Sequence, residues 1–546
     1  MHDALLSYLF AVLLIGAVSS PTSALTDPEI DTMIAEMTIE EKVGQLIMVG
    51  FDGTQANEAI EAHIRERFVG GVVLFSRNIQ SPKQTAELTN ELQRLTEATT
   101  HQIPLFIGID QEGGWVIRLR ERATVLPGNM ALGATDSTKL AERAGEITAV
   151  ELAAVGVNLN FAPVVDVNNN PQNPVIDRRS FGESPELVSR LGVAYIRGLQ
   201  RNGVLATAKH FPGHGDTTVD SHFDLPTVNH DRERIHALEL KPFRAAIDAD
   251  VAAIMTAHII YPAFDADRPA TLSPTILTDL LRNELGFDGL LITDDMEMKA
   301  IDVHYRSGEA AVMAVEAGAD IVMVLWTPTK QLEVFNALLS AVNSERISQA
   351  RLDQSVKRIL NSKEGAFNRR FVDPNTVGET VGTDAHKRLA QTIASQAITM
   401  VRNRNNLLPL KLKPETSVLI LSASATLFES FKGHHPNTVE ARIPEKSEVE
   451  GILPQLMVQA ENADVVIAGI MNNEQAAFIQ QVSLGTTTPV IVIALGSPYT
   501  LQRCPTASAA LAAYDIHNAS VSAAVEVIVG AQAAQGKLPV QLSIEP

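Results

Sequence analysis

The sequence predicts an eight-stranded (β/α)8 TIM-type barrel followed by a smaller α/β sandwich domain, on three observations. Short apolar runs alternate with amphipathic stretches from Met33 onward, eight such runs occur before residue 330, and a fresh alternation begins beyond residue 385. The 546 residues exceed one compact module, and 45% hydrophobic residues suffice to bury a large core.

Taken in order, the strand candidates are Gly44–Phe51, Gly71–Ser76, Leu105–Asp110, Val157–Pro163, Val204–Phe211, Ala252–Ile259, Gly289–Asp294 and Ile321–Trp326. Each is short and bounded by turn residues, as expected of a strand buried on both faces. Between them, 82–97, 139–155, 184–202, 232–249, 273–285 and 307–317 read as helices. A doubly wound open sheet shares this alternation, but no Gly-x-Gly-x-x-Gly follows the first strand. Residues 27–365 are thus expected to form the barrel, 366–384 a linker, and 385–546 the second domain. In the latter, 417–424, 465–470 and 490–496 read as strands and 446–462 and 520–530 as helices, with no cluster of acids, bases or nucleophiles.

The chain's ends and charge narrow the partners. Leu5 to Val18 is apolar but too short to span a bilayer, and small residues follow, so residues 1–24 read as a signal peptide for export to the periplasm or beyond. No later run reaches the length of a membrane span. A net charge of −20, from 44 Lys and Arg against 64 Asp and Glu, argues against nucleic acid as a partner. The single cysteine, Cys504, excludes an intramolecular disulfide and a Cys-rich metal centre.

A (β/α)8 barrel carries its chemistry at the C-terminal ends of its strands. Here those ends run into Asp110-Gln-Glu-Gly-Gly, Asp166, Lys209-His210, His258 and Asp294-Asp295. The loop after the fifth strand is the densest signal, with three His, three Asp and one Lys between Lys209 and Asp224. Two chemistries fit it. One is a metal site drawn from His210, His214, Asp216 and His222; the other is acid/base catalysis by His222 with Asp220 orienting its ring.

Lys209-His-Phe-Pro-Gly-His-Gly-Asp-Thr, with Ile109-Asp-Gln-Glu-Gly-Gly upstream and Ile292-Thr-Asp-Asp-Met downstream, resembles the glycoside hydrolase family 3 β-N-acetylglucosaminidases. That resemblance implies a barrel fold and retaining removal of terminal non-reducing β-N-acetylglucosamine from peptidoglycan fragments or chitooligosaccharides. It further implies Asp294 as nucleophile, His222 as acid/base with Asp220 as its partner, and Asp110, Arg118, Arg179, Lys209 and His210 as sugar-binding residues. Trp115 departs from the pattern, since the family usually has Arg after Glu-Gly-Gly; Arg118 is then the expected sugar contact, and the indole is free to stack on a sugar.

The chemistry stands beside the resemblance. Retention needs one carboxylate near the anomeric carbon and one proton donor near the departing oxygen. Asp294 suits the first role; an imidazole beside a carboxylate suits the second, because its proton affinity lies near neutrality and the carboxylate raises it. No cofactor or metal is called for. A neutral imidazole after proton donation repels phosphate less than a carboxylate would, so phosphorolysis at the same site is the alternative. The metal-dependent reading ranks lower, since the His/Asp spacing fits no standard zinc motif. His258 reads as a satisfied strand-end residue, Trp326 as packing at the barrel mouth, and His63 and His101 as surface residues. Asp166 either lines the sugar site or braces the loop.

Overall fold

The computed structural model describes residues 26–443 and 449–543; the expected export segment, 1–24, lies outside them. Eight strands close a barrel: β1 (Ile47–Val49), β2 (Gly71–Leu74), β3 (Phe106–Ile109), β4 (Leu159–Asn160), β5 (Leu205–Phe211), β6 (Ala253–Thr256), β7 (Leu290–Asp295) and β8 (Ile321–Val324). Each pairs in parallel with its sequence neighbour, and β8 returns to β1 through Ile47↔Val322. Seven lie inside the sequence-predicted runs, and β7 ends one residue beyond its run, at Asp295.

The runs form strands because both faces are covered. Gly-Val-Val-Leu in β2 and Ile-Val-Met-Val in β8 are buried at every position, packing inward on the barrel axis and outward on the helices. Two strand glycines make room for large interior side chains. A Cβ on Gly71 would come within 2.8 Å of Phe106, and one on Gly108 within 2.8 Å of the Phe161 ring. Helix starts are set locally: Ser81, Ser137 and Ser184 accept from the backbone N–H three residues on, and Pro82 and Pro185 occupy the first helical position.

The stretch expected as one helix over 232–249 is two, Arg232–Ala237 and Lys241–Ile247. Pro242 cannot donate to the preceding turn, and Glu239 turns inward at the break to bind Arg234 at 2.7 and 2.9 Å.

The second domain is a six-stranded sheet formed by β9 (Thr399–Asn403), β10 (Val418–Ser422), β11 (Thr438–Ala441), β12 (Val465–Ile470), β13 (Val490–Ala494) and β14 (Ala509–Ala512), in the order β9-β14-β13-β12-β10-β11. Only β9 is antiparallel. Alternate residues feed two apolar layers: Leu419, Leu421 and Val466 one face, Val418, Ile420 and Ile467 the other.

The two domains share side chains. On helix Asp384–Ala397, Ala390 and Ile393 join the barrel core while Ala394 and Ala397 join the second domain's layers. Met130, Ala131 and Ala134, from the barrel's helix Asn129–Thr135, pack into the second domain. The connection 366–384 is pinned as well, with Gly382 N–H donating to Glu151 at 2.9 Å, and just beyond it His386 Nδ1 on the following helix lies 2.7 Å from the same carboxylate. Among the described residues, no helix is long and apolar enough to cross a membrane.

Candidate active site

At the C-terminal ends of the barrel strands lies a cavity of about 510 Å³. All eight residues singled out from the sequence line it: Asp294, His222, Asp220, Asp110, Arg118, Arg179, Lys209 and His210. They come from β5, β7 and the loops after β3, β4 and β5, so only closure of the barrel brings them together.

The cavity's charged floor is an ion-pair chain. Lys209 Nζ lies 2.8 Å from Asp110 Oδ1 and 2.8 Å from Glu112 Oε1. Arg179 grips Glu112 with two parallel bonds of 2.9 and 2.8 Å, and Arg118 approaches Asp110 at 3.6 Å. Burial alone would raise the Glu112 carboxyl, but Arg179 and Lys209 outweigh it and hold the group well below the usual carboxylate range. Burial likewise opposes the charge of Lys209, and Asp110 and Glu112 overcome that and raise its proton affinity. Three cations face two carboxylates, so the chain carries one net positive charge. Glu112 went without a role in the sequence reading. The signal was its place two residues after Asp110 at the end of β3.

Asp294 ends the Leu290-Leu-Ile-Thr run of β7 and accepts from the Asp295 N–H at 2.8 Å. Burial works against its charge, yet the imidazoles of His210, His258 and His222 outweigh that and lower its pKa. Next to it, Asp295 is pushed up to about 7, first by burial and then by the carboxylates of Glu297 and Asp294. One residue of the pair is therefore set to be an anion and its neighbour to hold a proton.

His222 stands on the loop after β5 with its side chain 56% exposed. Its Nδ1 lies 2.7 Å from Asp220 Oδ1, which also accepts the His222 backbone N–H at 2.9 Å. With Nδ1 engaged, Nε2 is the nitrogen left for the cavity. The loop is tied down by His214, whose ring nitrogens lie 2.9 Å from Thr217 Oγ1 and 3.0 Å from Ser221 Oγ, and by Asn173, which donates to the carbonyls of His214 and Gly215.

Asp166 braces the site rather than lining it. Fully buried, it takes His210 Nδ1 at 2.7 Å and the N–H groups of His210 and His214 at 3.1 and 2.7 Å. His258 is satisfied by Thr271 at 2.8 Å and the Asp295 carbonyl at 3.0 Å. Trp326 packs at the barrel mouth against Phe75 and Arg77 and, half exposed, also lines the cavity. His63 is buried, contrary to its surface reading, and burial pushes its pKa down to about 4.

The metal set proposed from the loop does not assemble. His210 turns to Asp166, His214 to Thr217 and Ser221, Asp216 to His230 at 2.6 Å, and His222 to Asp220. Among the described residues, one cluster has ligand atoms close enough for a cation, namely Asp216, His230 and Glu239. There Arg234 already neutralises Glu239 and lies 3.9 Å from Asp216.

Residues 38–362 match the sequence profile of the glycosyl hydrolase family 3 N-terminal domain. The chain belongs to glycoside hydrolase family 3. Family 3 likeness extends through both domains: β-hexosaminidase A of Pseudoalteromonas piscicida is 35% identical over 540 residues, spanning 87% of this chain and 89% of its own. A solved family 3 β-N-acetylglucosaminidase from Paenibacillus sp. str. FPU-7 superposes with a TM-score of 0.85 at 40% identity, covering 93% of this chain and all of its own. The β-glucoside phosphorylase BglX superposes with a TM-score of 0.81 at 26% identity, covering 94% and 96%.

Proposed function

We propose that this chain is a retaining exo-acting β-N-acetylglucosaminidase that hydrolyses terminal non-reducing β-N-acetylglucosamine from chitooligosaccharides or peptidoglycan fragments, with Asp294 as nucleophile and His222 as acid/base. The observation that carries it is an ionised carboxylate and a carboxylate-paired imidazole lining one cavity over a charged, hydrogen-bonding floor. The named relatives, a β-hexosaminidase and a β-N-acetylglucosaminidase, support the substrate class.

In the first step the Asp294 carboxylate attacks the anomeric carbon while His222 Nε2–H protonates the departing oxygen, giving a covalent glycosyl–enzyme and a free alcohol. Asp220 stabilises the imidazolium and fixes the ring so that Nε2 faces the cavity. In the second step neutral His222 takes a proton from water, the water oxygen attacks the same carbon, and Asp294 departs. Two inversions give net retention. Asp110, Arg118, Arg179, Lys209 and His210 hold the sugar hydroxyls, and Asp166 holds His210. We further propose that the protein is exported, on the apolar Leu5–Val18 run followed by small residues; N-terminal sequencing of the mature protein beginning at Met1 would overturn that.

The direct test compares an aryl β-N-acetylglucosaminide with the aryl β-glucoside and follows the anomeric product by NMR. Preference for the N-acetyl substrate with β-N-acetylglucosamine formed first supports the assignment; indifference to the acetamido group, or an α first product, overturns it. Repeating the reaction in phosphate separates hydrolysis from phosphorolysis, because only the latter releases a sugar 1-phosphate.

A further inference from the structure

The chain has two tryptophans, and both stand at the cavity just described. Trp115 is 56% exposed and Trp326 52% exposed, a costly placement for the largest apolar side chain unless something covers it. Each indole is backed by a guanidinium on one face. Arg178 sits 4.4 Å from the Trp115 ring and Arg77 4.1 Å from that of Trp326. Trp326 is further fixed by Phe75, with ring centroids 4.7 Å apart, and by its backbone N–H donating to Glu297 at 2.7 Å.

The barrel segments that support Trp115 are in turn held by the other domain. Arg178 lies so close over Gly496 that a Cβ there would fall 2.3 Å from Nη1. Ser497 donates to Asp177 at 2.8 Å, and His517 Nε2 donates to the carbonyl of Gly114, the residue before Trp115, at 3.1 Å. The turns after β13 and β14 therefore hold the wall of a cavity whose reacting groups all belong to the barrel.

We propose that Trp115 and Trp326 form the subsite for the leaving group, stacking on the flat face of a pyranose in its ordinary chair, and that the second domain sets the position of Trp115. A β-1,4-linked N-acetylglucosamine fits. Its ring substituents are equatorial, so the axial C–H bonds of one face meet the electron-rich face of an indole. A 1,6-anhydro sugar is held in the opposite chair with axial substituents and offers no such face. The inference rests on the glycosidase reading and selects among its substrates.

The test uses full-length protein and three substrates that share the transferred sugar: diacetylchitobiose, methyl β-N-acetylglucosaminide, and N-acetylglucosamine linked to a 1,6-anhydro sugar. Trp115→Ala and Trp326→Ala are each expected to lower the ratio of kcat/KM for diacetylchitobiose over the methyl glycoside by about tenfold, chiefly through KM, the size of one lost aromatic contact. Trp→Phe should restore most of the ratio. Gly496→Ala, a change in the second domain that pushes Arg178 off its place, should lower the same ratio by a smaller factor. An unchanged ratio in both alanine variants, or an equal loss on the anhydro-sugar substrate, overturns the proposal. If the wild type cleaves none of the three yet hydrolyses β-glucosides, the glycosidase assignment itself has failed in its substrate, a result distinct from a failure of the stacking subsite.

Discussion

Asp294 lies one residue before the end of a strand hydrogen-bonded on both sides, to β6 and to β8, whereas His222 stands on a surface loop with more than half its side chain in solvent. The difference follows from the two tasks. A nucleophile must meet one carbon along one line and must stay charged, and three imidazoles around a barrel-strand carboxylate provide both conditions. A proton donor must meet varied leaving groups and recover its proton from water. A loop carrying its own carboxylate partner does this without a rigid frame. Chemistry tolerant of geometry can sit on a loop; chemistry that is not sits on the barrel.

The sharpest way to break this contrast is to remove the strand-end group. Asp294→Ala is expected to lower kcat by about 10⁴-fold or more on every substrate, since no covalent intermediate can form. Circular dichroism should show an intact fold. A residual rate within tenfold of wild type would place the nucleophile elsewhere.

The next effect is on stability and separates floor from loop. Glu112→Gln leaves Arg179 and Lys209 buried against Asp110 alone, and breaking a buried ion pair costs about 3–5 kcal/mol. By contrast His222→Ala, on an exposed side chain, should change unfolding by less than about 0.5 kcal/mol. Urea unfolding of the two variants checks both; similar losses would mean the loop is as integral as the floor.

His222→Ala should show instead in catalysis, with a loss of about 10²–10⁴-fold for diacetylchitobiose, whose alkoxide needs a proton to depart. Aryl glycosides with acidic phenols should lose far less in the glycosylation step. An equal loss on both would show that His222 holds the loop rather than donating the proton.

Much of this was legible beforehand, and the gaps have physical causes. Parallel barrel strands are covered on both faces, so all eight appear as apolar runs. The strands that went unread in the second domain carry other patterns: β9 and β11 are half-exposed edges, and Ala-Ala-Leu-Ala in β14 has a helix former's composition, overridden by burial between two strands. At the site, motif spacing gave the reacting groups. The brace at Asp166, the grip on Glu112 and the Arg-backed indoles depend on contacts between loops 44 to 403 residues apart, which no local pattern encodes.

The smallest effect concerns Asp295, the other half of the strand-end pair. Its folded pKa is raised to about 7 from an ordinary 3.8. Between those values the folded state binds a proton that the unfolded state has lost, so its contribution to stability falls as pH rises through that window. The buried His214 and His63 act oppositely: their pKa values are depressed to about 4, so they add stability as pH rises toward 6.5. The wild-type profile mixes these slopes, and the difference between wild type and Asp295→Asn isolates the carboxyl. The amide oxygen can still accept the Glu297 N–H now at 3.2 Å, so the variant keeps that turn. Relative to wild type, Asp295→Asn should gain roughly a few degrees in Tm between pH 5 and pH 8. Parallel Tm profiles would mean that Asp295 is already ionised at pH 5, with two adjacent anions at the end of β7, and the division into one anion and one proton-holding neighbour would be wrong.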